Sequence, residues 1–330
     1  EDVIFTRTGQ VGEVFTKKYG VLHNNSFKVI PKKNLLDNLF LFWFLKRRAV
    51  NKYVQKVAAG SVQLDLNHSA FKTISISYPP LPEQKSIAKL LSSFDEKIGL
   101  LREQNETLET LAQTIFKEWF VNFNYPDATG EMVSSELGEI PKGWRVGKLS
   151  EIAFFLNGLA LQKYPPQPEK EALPVIKIRE LKQGITPQTD RANTEMDKKY
   201  IIENGDILFS WSGSLEVVIW KHGKGALNQH LFKISSDTYP KWFYYYWTLY
   251  HLREFRSIAA NKATTMGHIQ RKHLDEAMVL IPNDELIKGG TKLFQPLLDK
   301  VILTNEQIQT LTKIRDTLLP KLMSGEVRVN

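Results

Sequence analysis

A chain of 330 residues has room for two domains with cores of their own. It contains no cysteine, which excludes disulfide scaffolds and thiolate metal sites and makes the cytoplasm the expected compartment. A net charge of +8 suits a polyanionic partner, and the longest apolar cluster, residues 39–45, is too short to cross a bilayer.

In chain order, residues 3–5 and 27–30 read as strands separated by a turn at Thr8-Gly9-Gln10. Residues 35–57 have helical character, and residues 71–77 alternate well enough for a strand. Tyr78-Pro79-Pro80-Leu81-Pro82-Glu83-Gln84 follows. A proline in a first helical turn is compatible with a helix start, because its missing N–H would have had no intrahelical partner. Next, Ile87, Leu91, Phe94, Ile98, Leu101, Asn105, Leu108, Ala112, Ile115 and Trp119 recur at alternating steps of four and three, a heptad stripe with one polar interruption at Asn105. Residues 86–120 at about 1.5 Å rise give a rod of roughly 50 Å.

Tyr125-Pro126-Asp127-Ala128-Thr129-Gly130 opens a linker, and Ser135-Glu136-Leu137-Gly138-Glu139-Ile140-Pro141-Lys142-Gly143-Trp144 introduces a new domain. Strands are predicted at 175–178, 207–209, 217–220, 232–234 and 277–281, and helices at 241–258 and 268–274. The aromatic run 242–247 reads as a buried helix. A second stripe contains Leu297, Val301, Thr304, Ile308, Leu311, Arg315, Leu318 and Leu322. Neither helix can hide its stripe alone. Antiparallel pairing within one chain buries both, with an intermolecular coiled coil as the alternative.

The second half repeats the first. Asp2-Val3-Ile4-Phe5-Thr6-Arg7-Thr8-Gly9 matches Asp206-Ile207-Leu208-Phe209-Ser210-Trp211-Ser212-Gly213, and Glu96-Lys97-Ile98 matches Asp299-Lys300-Val301. Asp206 lies about 60 to 70 residues inside its domain while Asp2 opens the chain, so the first copy is expected to lack its beginning. Residues 1–79 carry 12 Lys or Arg against 5 acids and residues 136–282 carry 20 against 16, whereas residues 86–120 carry 4 against 6. The positive charge therefore sits on the globular parts.

Four phrases carry a family resemblance: Tyr78-Pro79-Pro80-Leu81-Pro82-Glu83-Gln84, Trp144-Arg145-Val146-Gly147-Lys148-Leu149-Ser150-Glu151-Ile152, Asn204-Gly205-Asp206-Ile207-Leu208-Phe209-Ser210 and Leu319-Pro320-Lys321-Leu322-Met323-Ser324-Gly325-Glu326. In this order, around two heptad helices, the chain resembles the specificity subunit of type I restriction-modification systems over essentially its whole length. The resemblance implies an α+β protein with an internal pseudo-two-fold repeat. Two α/β-type target-recognition domains would be separated by two long spacer helices forming an antiparallel coiled coil. Residues 1–80 would be the C-terminal part of the first recognition domain, 81–124 the first spacer helix, 125–142 a linker, 143–285 the second recognition domain, 290–324 the second spacer helix and 325–330 a tail. Spacer packing would rest on Ile87, Leu91, Phe94, Ile98, Leu101, Leu108, Ile115, Leu297, Val301, Ile308, Leu311, Leu318 and Leu322.

The resemblance also implies a non-catalytic subunit that recognises a bipartite double-stranded DNA target. It would scaffold two adenine-N6 methyltransferase subunits and the restriction and translocase subunits. No cofactor would sit in this chain; S-adenosylmethionine, ATP and magnesium would belong to the partners. Two alternatives remain open: a coiled-coil adaptor that binds proteins only, and a half-subunit that dimerises to read a symmetric bipartite target.

The inventory of chemistry is consistent with a non-catalytic role. No phosphate-cradling glycine loop and no Asn- or Asp-Pro-Pro-Tyr motif occurs, and the seven histidines show no metal-ligand spacing. Candidate DNA contacts lie in polar loops at strand ends. Ser210-Trp211-Ser212 offers hydroxyls and a planar ring, or else a tight hairpin. Asn228-Gln229-His230 offers amides suited to the N6/N7 edge of adenine, or an internal hydrogen-bond network. Arg7, Thr8, Asn24 and Asn25 are the first-copy counterparts. Lys262, Thr264, Thr265 and His268 precede a short helix whose N–H groups could hold a phosphate or be capped by threonine, with Ser61 in the corresponding first-copy loop. Lys177 and Arg179 are expected to share one exposed strand face, and Arg271 adds a phosphate contact or a merely solvated charge.

Overall fold

In the computed structural model, which describes residues 2–60, 64–261 and 267–329, the chain begins with strands β1 (Val3–Thr6), β2 (Val14–Phe15) and β3 (Ser26–Val29). Helices α1 (Asn38–Leu45), α2 (Arg48–Val57) and α3 (His68–Phe71) follow, then the long α4 (Leu81–Phe120). Next come β4 (Met132–Ser135), β5 (Gly138–Pro141), β6 (Arg145–Lys148), α5 (Leu149–Ile152), β7 (Phe154–Asn157), β8 (Ala172–Ile176) and α6 (Ile178–Gln183). Strands β9 (Arg191–Asn193), β10 (Ile201–Ile202), β11 (Ile207–Ser210), β12 (Val217–Ile219), β13 (Gly225–Leu227) and β14 (Leu231–Ser235) precede α7 (Lys241–Asn261). The chain closes with α8 (Arg271–Glu276), β15 (Met278–Ile281) and α9 (Asp284–Ser324). Two compact units result: Glu1–Arg102 with Gln307–Asn330, and Glu103–Glu306.

In the first unit the strands form an antiparallel sheet ordered β2-β1-β3. Val3 and Phe5 point into the core while Ile4 and Thr6 are half-buried, the period-two alternation of a sheet with one covered face. The predicted helix over 35–57 is two helices. α1 is buried at Phe40, Leu41, Phe42, Trp43, Phe44 and Leu45, whereas α2 is amphipathic and buries only Val50 and Val54. A break at extended Arg47 lets each helix present its own face. The strand predicted over 71–77 is not one. Phe71 ends α3, where its ring lies 5.1 Å from Phe5 and 5.4 Å from Phe27, and Asn67 caps the turn through the Ala70 N–H at 2.9 Å. Residues 74–80 form no strand and have no ladder partner among the described residues.

Buried Gln84 ties the start of α4 to α1. Its Oε1 accepts the Asp37 N–H at 2.8 Å, and its amide nitrogen donates to the carbonyls of Leu35 and Pro79. The unit is closed by the end of α9, which contributes Leu319, Leu322 and Met323 to the core. This stretch runs antiparallel to α4, with Arg315 paired to Asp95 and Arg328 to Glu83.

The second unit contains an antiparallel sheet β12-β11-β14-β7, a mixed sheet β10-β13-β8-β9 and the pair β15-β6. Its core is aromatic. All of residues 242–247 are buried, and Trp242 stacks on Phe294 with ring centres 4.6 Å apart. α9 starts at Asp284, earlier than the predicted 290. Asn283 Oδ1 accepts the Leu286 N–H at 2.9 Å, and Asp284 and Glu285 suit the positive end of the helix dipole. Gly290 lies inside this helix because a Cβ there would come within 2.9 Å of the Trp242 ring. α4 ends at Phe120 rather than 124, since Phe123 takes a left-handed φ of 63° and Asn124 N–H returns to the Glu118 carbonyl.

Of the predicted packing positions, Ile87, Leu91, Ile98, Leu101, Val301 and Leu322 are buried. Phe94, Leu108, Ile115, Leu297, Ile308, Leu311 and Leu318 are half-buried. In the second unit the buried face includes Ala112, Phe116, Phe120, Phe294 and Leu298, because α7 packs against the helix pair there. At the polar interruption Asn105 Nδ2 donates to Asn305 Oδ1 at 3.0 Å, both residues being buried.

Asn105→Ala would leave Asn305 with an unmatched buried amide and is expected to lower stability in urea by about 1–3 kcal/mol. The double change Asn105→Leu with Asn305→Leu should recover that loss. Equal losses in the single and double variants would contradict this role.

Burial pushes the Tyr244 phenol up to about 12, with the nearby Asp206 charge adding to it, and raises Tyr245 and Tyr246 as well. Unfolded tyrosines begin releasing protons near pH 10 while the folded ones keep theirs. Stability is therefore full below about pH 10 and falls as pH rises through about 12 for Tyr244. Changing all three to Phe should flatten that fall in urea titrations at successive alkaline pH values; an unchanged slope would assign the loss elsewhere.

Candidate nucleic-acid interface

Each unit carries a loop cluster where its central strand, β1 or β11, ends, and the two clusters share one main-chain frame. In the first unit the Arg7 N–H donates to the Asn25 carbonyl, the Leu66 N–H to Arg7 and the Gly9 N–H to Leu64, at 2.8, 2.8 and 3.3 Å. In the second, Trp211 donates to His230, Ile269 to Trp211 and Gly213 to Gly267, at 3.3, 2.9 and 2.8 Å. Isolated bridges Thr8 with Asp65 and Ser212 with His268 complete the match. A hydroxyl pins each turn: Thr6 Oγ1 accepts the Glu13 N–H at 2.9 Å, and Ser210 Oγ accepts the Glu216 N–H at 2.8 Å. Gly9 and Gly213 both have positive φ, 75° and 64°, which a side chain would strain.

The side chains on this frame differ. In the second unit Trp211 is half-buried, its indole N–H donating to Asn157 Oδ1 at 3.0 Å and its ring 5.7 Å from that of His230. Ser212 is buried and bonded to His230 Nδ1 at 3.1 Å. Asn228 is buried, accepting the His230 N–H at 3.3 Å. Gln229, His230 and His268 are half-exposed, with the Gln229 amide 3.5 Å from His230 Nε2. Arg271 starts α8, donates to the Phe155 carbonyl at 3.1 Å and lies 5.6 Å from the Phe232 ring centre. Trp211, Ser212, Asn228, Gln229, His230, His268 and Arg271 thus come together around one loop cluster.

In the first unit Arg7 grips Asp65 with bonds of 2.9 to 3.2 Å and lies over the Phe27 ring. Asn24 and Asn25 are exposed, and the Thr8 hydroxyl is buried without a partner among the described residues. Asp65 had no sequence signal: its partner stands far away in the chain, and only the fold brings them together.

Two expectations change. Ser210 is wholly buried, donating to the Ser214 carbonyl at 2.7 Å, so it shapes the turn and cannot reach outward. Lys177 and Arg179 do not share a strand face, because β8 ends at Ile176 and Ile178 opens α6. Lys177 is paired with Asp190, and Arg179 with buried Glu180 and the Gln188 carbonyl, so both charges have internal partners. Ser61, Lys262, Thr264 and Thr265 lie outside the described residues.

Among the described residues no group of His, Cys, Asp or Glu could hold a metal ion, and no helix is long and apolar enough to cross a membrane.

The sequence model for the type I restriction modification DNA specificity domain matches residues 1–110 and 141–313. The type I restriction enzyme MjaIX specificity subunit of Methanocaldococcus jannaschii is 30% identical over 99% of this chain and 78% of its own length. The HindI specificity subunit of Haemophilus influenzae is 22% identical, covering 95% of this chain and 81% of that protein. Among solved structures, a type I restriction-modification S subunit from M. genitalium superposes with a TM-score of 0.58 at 17% identity, over 97% of this chain and 82% of that one, which establishes a shared fold.

Ser210→Ala removes a buried hydroxyl bonded on both sides and is expected to cost about 1–3 kcal/mol of stability in urea. A variant as stable as the parent would contradict the turn-holding role of Ser210.

Proposed function

The chain belongs to the type I restriction modification DNA specificity family, and from that premise we propose that it reads a bipartite double-stranded DNA target, one part with each loop cluster. As a member of that family it is the specificity component and not itself a catalyst. The observation that carries the reading is the shared frame with unlike side chains: Arg7, Asp65, Asn24 and Asn25 in one unit, Trp211, His268, Gln229 and His230 in the other. Equal scaffolds with different displays suit two different half-sites.

The chemistry of the display supports this assignment. Asn24 and Gln229 carry amides that match the N6/N7 edge of adenine, and Arg7 carries the fork that matches guanine O6/N7, held ready by Asp65. Arg271, Lys262 and the hydroxyls of Ser61, Thr264 and Thr265 are assigned to phosphates, which set register and not sequence. The excess of cations on the globular parts favours DNA over an exclusively protein partner. The same reading gives the chain two methyltransferase subunits and the restriction subunits as partners, with S-adenosylmethionine, ATP and magnesium bound by those partners.

Co-expression with the methyltransferase subunit of the same system, followed by mapping of N6-methyladenine, should yield a split motif only when both proteins are present. A continuous motif would contradict two unlike readers. With the motif in hand, Gln229→Ala should relax discrimination at one base position by about 5- to 150-fold, the range that one bidentate contact supplies. Uniform weakening on cognate and scrambled duplexes would remove Gln229 from the readers.

A further inference from the structure

Beside the loop cluster of the second unit lies a cleft of about 380 Å³. Its floor is Leu161, Val175 and Asn228, all buried, and its rim carries Gln162, Lys177 and Arg191. The cleft is continuous with the candidate interface, because Asn228 belongs to both and Leu159 bridges to it.

Its walls are held in place. Gly158 packs so closely that a Cβ would lie 2.2 Å from the Asn228 carbonyl oxygen, so only glycine lets the loop approach this strand. The Gln229 N–H then donates to the Leu159 carbonyl at 2.9 Å, fixing the loop from the other side. Leu161–Lys163 forms a 3-10 turn that presents Gln162 to solvent, and Pro165 and Pro166 restrict the backbone of the facing wall.

Its polar groups remain available. Asn228 is only 3% exposed, and while its Oδ1 accepts the His230 N–H, its amide nitrogen has no partner among the described residues. Gln162 makes no polar contact among the described residues, so all its donors and acceptors are free. Arg191 makes one bond among them, from Nη1 to the Ala172 carbonyl at 3.2 Å, out of the five its guanidinium can donate. Lys177 differs, being matched by Asp190.

We propose that this cleft is a base-reading subsite of the second unit, with Gln162 as its specificity-determining residue. It rests on the DNA reading above. Gln162 contacts the edge of an adenine-containing base pair in the major groove, where an amide can donate to N7 and accept from N6 at once. Asn228, at the floor, turns its unpaired amide nitrogen to an acceptor on the same nucleotide, directly or through one water. Arg191 holds an adjoining phosphate.

The test uses the full chain in complex with its methyltransferase subunit and a duplex library carrying every base at each position of the target. Gln162→Ala should reduce preference at one position by about 5- to 150-fold and leave binding to scrambled duplex unchanged. Gln162→Glu, which replaces a donor by an acceptor, should move the preference at that position toward cytosine, whose N4 amine donates. Arg191→Ala should weaken all sequences alike and lower the slope of log affinity against log salt by about one. If the parent discriminates but Gln162→Ala leaves every position unchanged, the subsite is wrong and DNA reading by the loop clusters stands. A parent that shows no salt-dependent DNA binding would overturn both.

Discussion

Strand register in the antiparallel sheets around β1 and β11 is the constraint on which the rest of the molecule depends. Phe5 stands opposite Phe27, and Phe209 opposite Phe232, so Val3 and Phe5 in one unit and Ile207 and Phe209 in the other face a core. A slip of one residue would turn Val3 and Phe5 out of their core and bring Ile4 in their place, and in β11, buried on both faces, it would exchange Ile207 and Phe209 with Leu208 between two apolar clusters. The same register decides what stands at the strand ends. It brings the carbonyl of residue 7 or 211 to the N–H of residue 66 or 269, and so closes the turn on which the candidate readers sit. Core and candidate interface are therefore two ends of one ladder.

Burial of the long helices serves that ladder. Each unit takes one stretch of α4 and one of α9 into its core. In the first unit the gap between helices and sheet is closed by α1, tied to α4 through the bonds of Gln84 to Asp37 and Leu35 at its start. In the second it is closed by the aromatic residues of α7 packed on Phe116, Phe120 and Phe294. Two of the polar groups that interrupt the helix stripes are paired between the helices, Asn105 Nδ2 with Asn305 Oδ1 and Arg315 with Asp95, while the Thr304 hydroxyl and Asn105 Oδ1 are buried without a partner among the described residues.

The long helices, the internal repeat, the central strands and the buried aromatic helix were legible because each depends on local periodicity or on comparison of the chain with itself. Ile87, Leu91 and Ile98 announce a helix face wherever they are placed, and Phe5 and Phe209 announce a strand. What was not legible depended on distant partners. Lys177 and Arg179 look like alternating strand residues until Glu180 is seen to turn inward and start a helix, with Thr189 donating to its carboxylate at 3.1 Å. Gly290 looks like a place for a helix to begin until the Trp242 ring supplies the reason for a glycine in its interior. Asp65 carried no pattern at all, and the candidate site was correspondingly harder to read than the fold. Trp211, Gln229 and His230 could be named from their residue types, but Ser210 was named for chemistry that the fold spends on a turn.

The frame around residues 7 and 211 is built almost entirely from peptide groups, and that has an evolutionary consequence. Bonds between main-chain N–H and carbonyl groups do not depend on which side chain occupies a position, so arginine and tryptophan occupy equivalent places with no visible change in the turn. Duplicated copies of such a frame inherit a folded platform that tolerates drift at its outward positions. What such a frame does require is the hydroxyl of residue 6 or 210, which holds the turn, and a glycine at residue 9 or 213, where φ is positive, so change is cheap at its outward positions and costly at these.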